Sequence, residues 1–154
     1  MANTYTCLHV QLIFAVSGRE NLIHENNRVS VQKYMATIAQ SLKATVLAVY
    51  CNPDHVHILV GIKPDIPIAT IAKTIKGSTS KWINKEKWFP QPFRWQRGYG
   101  AFCYSKSHVP KVIRYILNQK EHHSKSSFKE EYITLLRARG IDYDERYLFE
   151  WIKE

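Results

Sequence analysis

Three cysteines in 154 residues give this chain little redox or metal chemistry of the sulfur kind. Cys7, Cys51 and Cys103 are odd in number and widely spaced, so they form neither a CxxC pair nor a disulfide framework. No stretch approaches the roughly eighteen uninterrupted apolar residues that a membrane span requires. The start, Met1-Ala2-Asn3-Thr4-Tyr5, lacks the basic and then apolar order of a secretory leader. A reduced, cytoplasmic protein with no membrane partner is the expectation. Internal repeats and linkers are also missing, and 45% of the residues are hydrophobic, enough for a real core. One domain over residues 1–154 is expected.

Acidic residues are scarce in one place. Lys73 to Lys125 holds 12 Lys+Arg and 2 Asp+Glu, a local balance of +10, whereas the 10 basic and 11 acidic residues elsewhere leave −1. The formal charge of +9 therefore sits in one contiguous third of the chain. That third also contains Trp82, Trp88, Phe89, Phe93, Trp95, Tyr99, Phe102 and Tyr104. Cations neutralise phosphates and release counterions, while aromatic faces stack on unpaired bases. The combination points to single-stranded nucleic acid. The alternative is that the aromatics are core and the lysines a solvated surface, which leaves the localised charge unexplained. Lys73, Lys76, Lys81, Arg94, Arg97 and Lys106 are the candidate phosphate contacts.

Hydrophobic periodicity gives the element order. Tyr5 to Val16 alternates as a strand and ends at Ser17-Gly18. Val29, Tyr34, Ile38, Ala39 and Leu42 fall at helical spacing between Asn26 and Lys43. Ala44 to Tyr50 and His55 to Ile62 read as a hairpin around Cys51-Asn52-Pro53-Asp54. Ile68 to Trp82 follows as a helix, with Gly77 a weak point, and Gly98 to Ser105 as a fourth strand. Ser107 can cap a third helix with Pro110 in its first turn, running to about His123. A shorter helix from Phe128 to Arg139 stops at Gly140. The order β-α-β-β-α-β with added helices predicts an α+β, ferredoxin-like fold, an antiparallel sheet with helices on one face plus extra C-terminal helices. Many functions share this fold, so side chains must decide.

The hairpin's second strand places His55 and His57 two residues apart. Side chains two apart in a strand share a face, roughly 6.5–7 Å apart along the backbone, so both imidazoles can bind one ion. Val56, Ile58 and Val60 point the other way, into a core. Equally compatible with this run alone is a pair of half-exposed histidines on a solvated sheet face.

On the third helix, Val109, Val112, Ile113, Ile116 and Leu117 form an apolar stripe. Beside it, Tyr115 and Gln119 stand at i and i+4, on one side of the helix. A tyrosine next to a core stripe ordinarily packs with its hydroxyl at the rim. Here it is flanked by Lys111, Arg114 and Lys120, and Gln119 offers an oxygen ligand. His122 is near in helical phase and reads as a surface histidine.

The pair His55-Val56-His57, followed after a basic aromatic stretch by Tyr115-Ile116-Leu117-Asn118-Gln119, resembles the single-tyrosine HUH transposases of the IS200/IS605 type and their REP-associated relatives. Asn52-Pro53-Asp54, Trp95-Gln96-Arg97-Gly98-Tyr99 and the segment from Gly140 to Tyr147 resemble typical family segments, so the likeness covers nearly the whole chain. The resemblance implies a divalent metal, Mg²⁺ or Mn²⁺, held by His55, His57 and Gln119, and a nucleophilic Tyr115. It also implies cleavage and rejoining of single-stranded DNA through a 5′-phosphotyrosine, recognition of hairpin ends, and a homodimer. Two other readings stand beside it. One is a non-catalytic single-stranded nucleic-acid-binding module, in which a sheet with exposed aromatics suffices. The other is a metal-dependent nuclease, in which water attacks and Tyr115 only packs.

Overall fold

The structure, a computed structural model, describes residues 3–152. Met1 and Ala2, on which part of the leader reading rests, lie outside the described residues. Four strands, β1 (His9–Ala15), β2 (Thr45–Cys51), β3 (His55–Gly61) and β4 (Gly100–Tyr104), form one antiparallel sheet in the order β2-β3-β1-β4. Helix α1 (Glu25–Ser41) links β1 to β2, and α2 (Ile68–Glu86) links β3 to β4. This is the ferredoxin-like α+β arrangement. β1 begins at His9, later than the alternation from Tyr5 predicts. His9 lies opposite Gly61 of β3 and Tyr104 of β4, so the strand starts where both partners provide a ladder.

Each face of the sheet has its own core. Val10, Leu12 and Phe14 of β1 and Val56, Ile58 and Val60 of β3 pack against Val31, Met35 and Ala39 of α1 and Ile71, Ala72, Ile75 and Ile83 of α2. The helical residues recur at three and four positions, as one buried stripe requires. Tyr34 and Trp82 stack at 4.5 Å between α1 and α2.

After β4 come a 3-10 turn (Lys106–His108) and helices α3 (Val109–Leu117), α4 (Gln119–His122) and α5 (Phe128–Ala138). These cover the opposite face. Val112 and Ile116 of α3 pack on Ala48 and Leu59, and Phe128, Tyr132 and Leu136 of α5 pack on Ile13, Ala15 and Phe102. The added helices thus roof the sheet face that carries His55 and His57, which a helix layer on one side alone leaves open to solvent. The β1 and β3 interiors are buried on both faces, so half-exposed histidines are excluded.

Two details of the third helix differ from the sequence reading. Ser107 does not cap it. Instead Ser105 Oγ lies 3.0 Å from Ser107 Oγ and 2.6 Å from His108 Nδ1, and the 3-10 turn leads into α3. Nor does the helix run unbroken to His123. Asn118, at φ −101° and ψ 21°, ends α3 before α4 begins at Gln119; asparagine favours helix ends because its side chain competes for backbone groups. Helix α5 starts as the sequence indicates: Ser127 Oγ accepts a hydrogen bond from the Glu130 N–H, and Glu130 and Glu131 sit in the positive first turn. Among the described residues, no helix is long and apolar enough to cross a membrane.

Candidate functional site

The roofed face of β3 meets the C-terminal helices at one polar cluster inside an otherwise apolar layer. His55 (1% exposed), His57 (0%), Gln119 (0%) and Glu131 (4%) are all buried there. Strand alternation puts both histidines on this side, with ring centroids 5.2 Å apart. The break at Asn118 precedes Gln119, and α3 carries Tyr115 to the same place. The four residues singled out for chemistry therefore converge within one chain. The sequence reading missed His123 and Glu131. Glu131 had a visible signal: it occupies a slot between Phe128 and Tyr132 on the buried stripe of α5, where a carboxylate needs partners.

Glu131 is the hub. Its Oε1 lies 2.9 Å from His57 Nε2, 3.3 Å from His123 Nε2 and 3.5 Å from His55 Nε2. Its Oε2 accepts the hydroxyl hydrogen of Tyr115 and a hydrogen bond from Gln119 Nε2 at 3.2 Å, with His122 Nε2 at 3.3 Å. Gln119 Oε1 accepts from Asn52 Nδ2 at 3.1 Å and lies 2.9 Å from His123 Nε2. His122, read from sequence as a surface residue, stands 3.5 Å from the Tyr115 hydroxyl.

An outer layer sets the rings. His55 Nδ1 is 2.7 Å from Asp54 Oδ1, His57 Nδ1 is 2.7 Å from Gln11 Oε1, and His123 Nδ1 is 2.9 Å from the Ser126 carbonyl. All three acceptors are oxygens, so each Nδ1 carries the hydrogen and each Nε2 turns inward. Phe128 stacks on His55 at 3.7 Å and holds its plane.

Burial and charge tune these groups. Burial alone would raise the Glu131 pKa, but the surrounding His57, His123 and His55 outweigh it and hold the carboxyl well below its usual range. Burial lowers that of His57 and is only partly countered by Glu131. For His55, burial is outweighed by Asp54 and Glu131, so its pKa rises. Burial first, and then the Glu131 charge, push the Tyr115 phenol upward. At rest the nucleophile candidate is a neutral phenol donating to an ionised carboxylate.

The cluster fits a metal ion. His55, His57, His123 and Glu131 each offer one ligand atom, and these atoms lie within 4.8 Å of one another. Histidines oriented through Nδ1 by oxygen acceptors are the usual form of metal-bound imidazole.

The family model for IS200-like transposases matches residues 4–119. This chain belongs to that family. The transposases for insertion sequence element IS200 of Salmonella typhimurium and Salmonella typhi are each 24% identical to it over 127 residues, covering 79% of this chain and 82% of theirs. In fold, it is similar to a candidate transposase from Deinococcus radiodurans R1, with a TM-score of 0.61, 21% identity, and 77% and 95% of the two chains covered. A REP-associated tyrosine transposase solved with a REP hairpin gives a TM-score of 0.60 at 11% identity, covering 100% of this chain and 93% of that one.

The basic third of the IS200-like transposase divides on folding. Lys73 and Lys81 on α2, Arg94, Arg97 and Lys106 are exposed. Lys76 is committed inside: its Nζ donates to the carbonyls of Gln96 and Gly98 at 2.8 and 2.7 Å. None of the six is hydrogen-bonded or ion-paired to the cluster. Other cations share clefts with Tyr115. Lys111, Arg114 and Lys125 line a cleft of about 470 Å³ with Tyr115 and Glu121. On the other side, Lys111, Arg139 and Tyr104 line a cavity of about 590 Å³ that also reaches Tyr115. The aromatics resolve mostly as core. Trp82, Trp88, Phe89, Phe93 and Trp95 join the helix-side core, Phe102 and Tyr104 pack on the roofed face, and of the eight only Tyr99 is exposed.

Proposed function

We propose that this IS200-like transposase cuts and rejoins single-stranded DNA through a covalent bond to Tyr115, at ends marked by hairpins. The observation that carries the reading is the meeting of the Tyr115 hydroxyl with His55, His57 and Gln119 around Glu131 in one chain. Attack by the Tyr115 oxygen forms a phosphorus–oxygen bond and breaks the bond to the 3′ oxygen. The products are a 5′-phosphotyrosine and a 3′-hydroxyl. A second 3′-hydroxyl can then reverse the step on the same phosphorus, so ends are exchanged with no nucleotide cofactor.

The chain's own groups prepare this step. Glu131 Oε2 already accepts a hydrogen bond from the Tyr115 hydroxyl and is the acceptor in place as the new bond forms, with His122 Nε2 next in reach. His55 and His57, with Gln119 beside them, would hold a divalent ion, Mg²⁺ or Mn²⁺ on the resemblance. Such an ion supplies Lewis-acid stabilisation of charge on the phosphate oxygens. Lys111, Arg114 and Lys125 offer positive charge along the clefts that reach Tyr115, and the exposed Lys73, Lys81, Arg94, Arg97 and Lys106 suit a hairpin stem. Joining two DNA ends calls for two copies, and the homodimer is part of the proposal.

The test is product analysis. Labelled single-stranded hairpin DNA, incubated with the protein and Mn²⁺ or Mg²⁺, is expected to give a covalent protein–DNA adduct on a denaturing gel. Tyr115→Phe is expected to abolish both adduct and cleavage. Cleavage that persists in Tyr115→Phe without adduct would establish attack by water instead. DNA binding without cleavage in either protein would make this a binding module.

A further inference from the structure

The three imidazoles of the cluster create a problem of electron pairs. Each Nδ1 donates outward to an oxygen, so each ring, in its neutral form, turns a lone pair inward. His55 Nε2 and His123 Nε2 stand only 3.1 Å apart, with His57 Nε2 and His123 Nε2 both facing Glu131 Oε1. Gln119 Oε1, another lone-pair group, lies 2.9 Å from His123 Nε2. Asn52 Nδ2 lies 3.1 Å from both Gln119 Oε1 and His55 Nε2, and it reaches none of His57 Nε2, His123 Nε2 and Glu131 Oε1. Five electron-rich atoms thus crowd together in a buried cluster that one amide serves only in part, and positive charge among them stabilises the arrangement.

We propose that His123 and Glu131 complete the ion site begun by His55 and His57, giving three imidazole nitrogens and one carboxylate oxygen from a single chain. This deepens the proposed function and rests on its metal requirement, while replacing the two-histidine, one-glutamine set read from sequence. Nothing in the motif pair includes either residue: His123 lies beyond α4 and Glu131 on α5. The donor set has a consequence for the ion. Mg²⁺ keeps its waters and prefers oxygen ligands in a strict octahedron, whereas three imidazoles suit first-row transition ions such as Mn²⁺, Co²⁺ and Zn²⁺. Gln119, whose amide bridges Asn52 and Glu131, then positions the carboxylate.

The geometry also ties ion to nucleophile. Glu131 turns Oε1 to the histidines and Oε2 to Tyr115, so one carboxylate that gives Oε1 to the ion still holds the phenol through Oε2. Loading the site would leave Tyr115 in place.

The test uses the full chain stripped of metal, without DNA, so that its outcome is read separately from that of the adduct assay. Co²⁺ titration followed by visible absorption is expected to give a 1:1 endpoint. Its strong bands are those of a four- or five-coordinate ion, and a hundredfold excess of Mg²⁺ is expected to leave them unchanged. His123→Ala and the isosteric Glu131→Gln are each expected to weaken Co²⁺ at least tenfold, with folding checked by circular dichroism. Nitrogen couplings in pulsed EPR of the Cu²⁺-loaded wild type count the imidazoles without any variant, and three are expected. A count of two would overturn the proposal. So would unchanged affinity in both variants, displacement of Co²⁺ by stoichiometric Mg²⁺, or no ion binding at all, which would show protons holding the cluster.

Discussion

The Tyr115 hydroxyl donates a hydrogen bond to Glu131 Oε2, joining α3 to α5. The contact joins a residue read from sequence as a nucleophile to one that the sequence reading passed over. It restrains the phenol and supplies a proton acceptor, yet it also disfavours the phenoxide, because burial and the adjacent carboxylate both oppose a second negative charge.

Glu131→Gln is therefore expected to lower the Tyr115 pKa, with burial still keeping it above the free value of about 10. Alkaline difference absorption between Glu131→Gln and Glu131→Gln/Tyr115→Phe isolates this one phenol, against the same pair with Glu131 retained. A Tyr115 titration unmoved by the change would show that burial alone sets it.

Gln11 orients His57 through Nδ1 and donates to the Tyr104 hydroxyl at 2.8 Å. Gln11→Met keeps the volume and removes both bonds. Metal affinity is expected to fall about 10- to 100-fold, the usual effect of losing an orienting partner. Calorimetric titration with Mn²⁺ checks it, and an affinity within twofold of wild type would contradict the role.

Gln119 is buried and bonded to Asn52 and Glu131. Gln119→Ala leaves those groups short of partners, so a loss of about 1–3 kcal/mol is expected. Urea denaturation of the metal-free protein measures it. A smaller loss would mean that water replaces the amide.

Gly100 has no room for a side chain. A Cβ there would sit 2.7 Å from the Tyr132 hydroxyl oxygen and 2.9 Å from its ring. Gly100→Ala is expected to cost about 1–3 kcal/mol through overpacking, and Gly100→Ala/Tyr132→Phe to recover part of that, since the hydroxyl is the nearest atom. Thermal unfolding of the two variants, set against wild type and Tyr132→Phe, shows whether the recovery occurs.

Lysines of α2 are expected to separate into two kinds. Lys73→Ala and Lys81→Ala should leave the melting temperature unchanged and reduce the salt slope of single-strand DNA binding by up to about 1 each. Lys76→Met removes both bonds to the Gln96 and Gly98 carbonyls and should lower the melting temperature. Anisotropy titrations across salt, paired with thermal melts, distinguish the two. Equal melting temperatures for all three variants would count against the internal role of Lys76.

Much of the site was legible because its first members obey local periods. A two-residue repeat put His55 and His57 on one face of β3, and helical spacing put Tyr115 and Gln119 within one turn. The elements and their order followed from the same patterns, and the weakest readings fell at ends, as at Asn118, where continuous apolar spacing concealed a break. The aromatics misled in the other direction. Side by side with lysines they suggested base stacking, yet most are held by the core, because burial depends on neighbours that composition does not name.

The sequence by itself determined the strand alternation, the spacing of the tyrosine and glutamine, and the confinement of positive charge to one third of the chain, since these are properties of neighbouring residues. Only the tertiary structure decided that the histidines are buried, that Glu131, 74 positions beyond His57, sits 2.9 Å from it, and that His123 closes the ring. Those contacts arise from the packing of α5, and of the end of α4 before it, over the sheet. No local period encodes where a helix that far along the chain comes to rest.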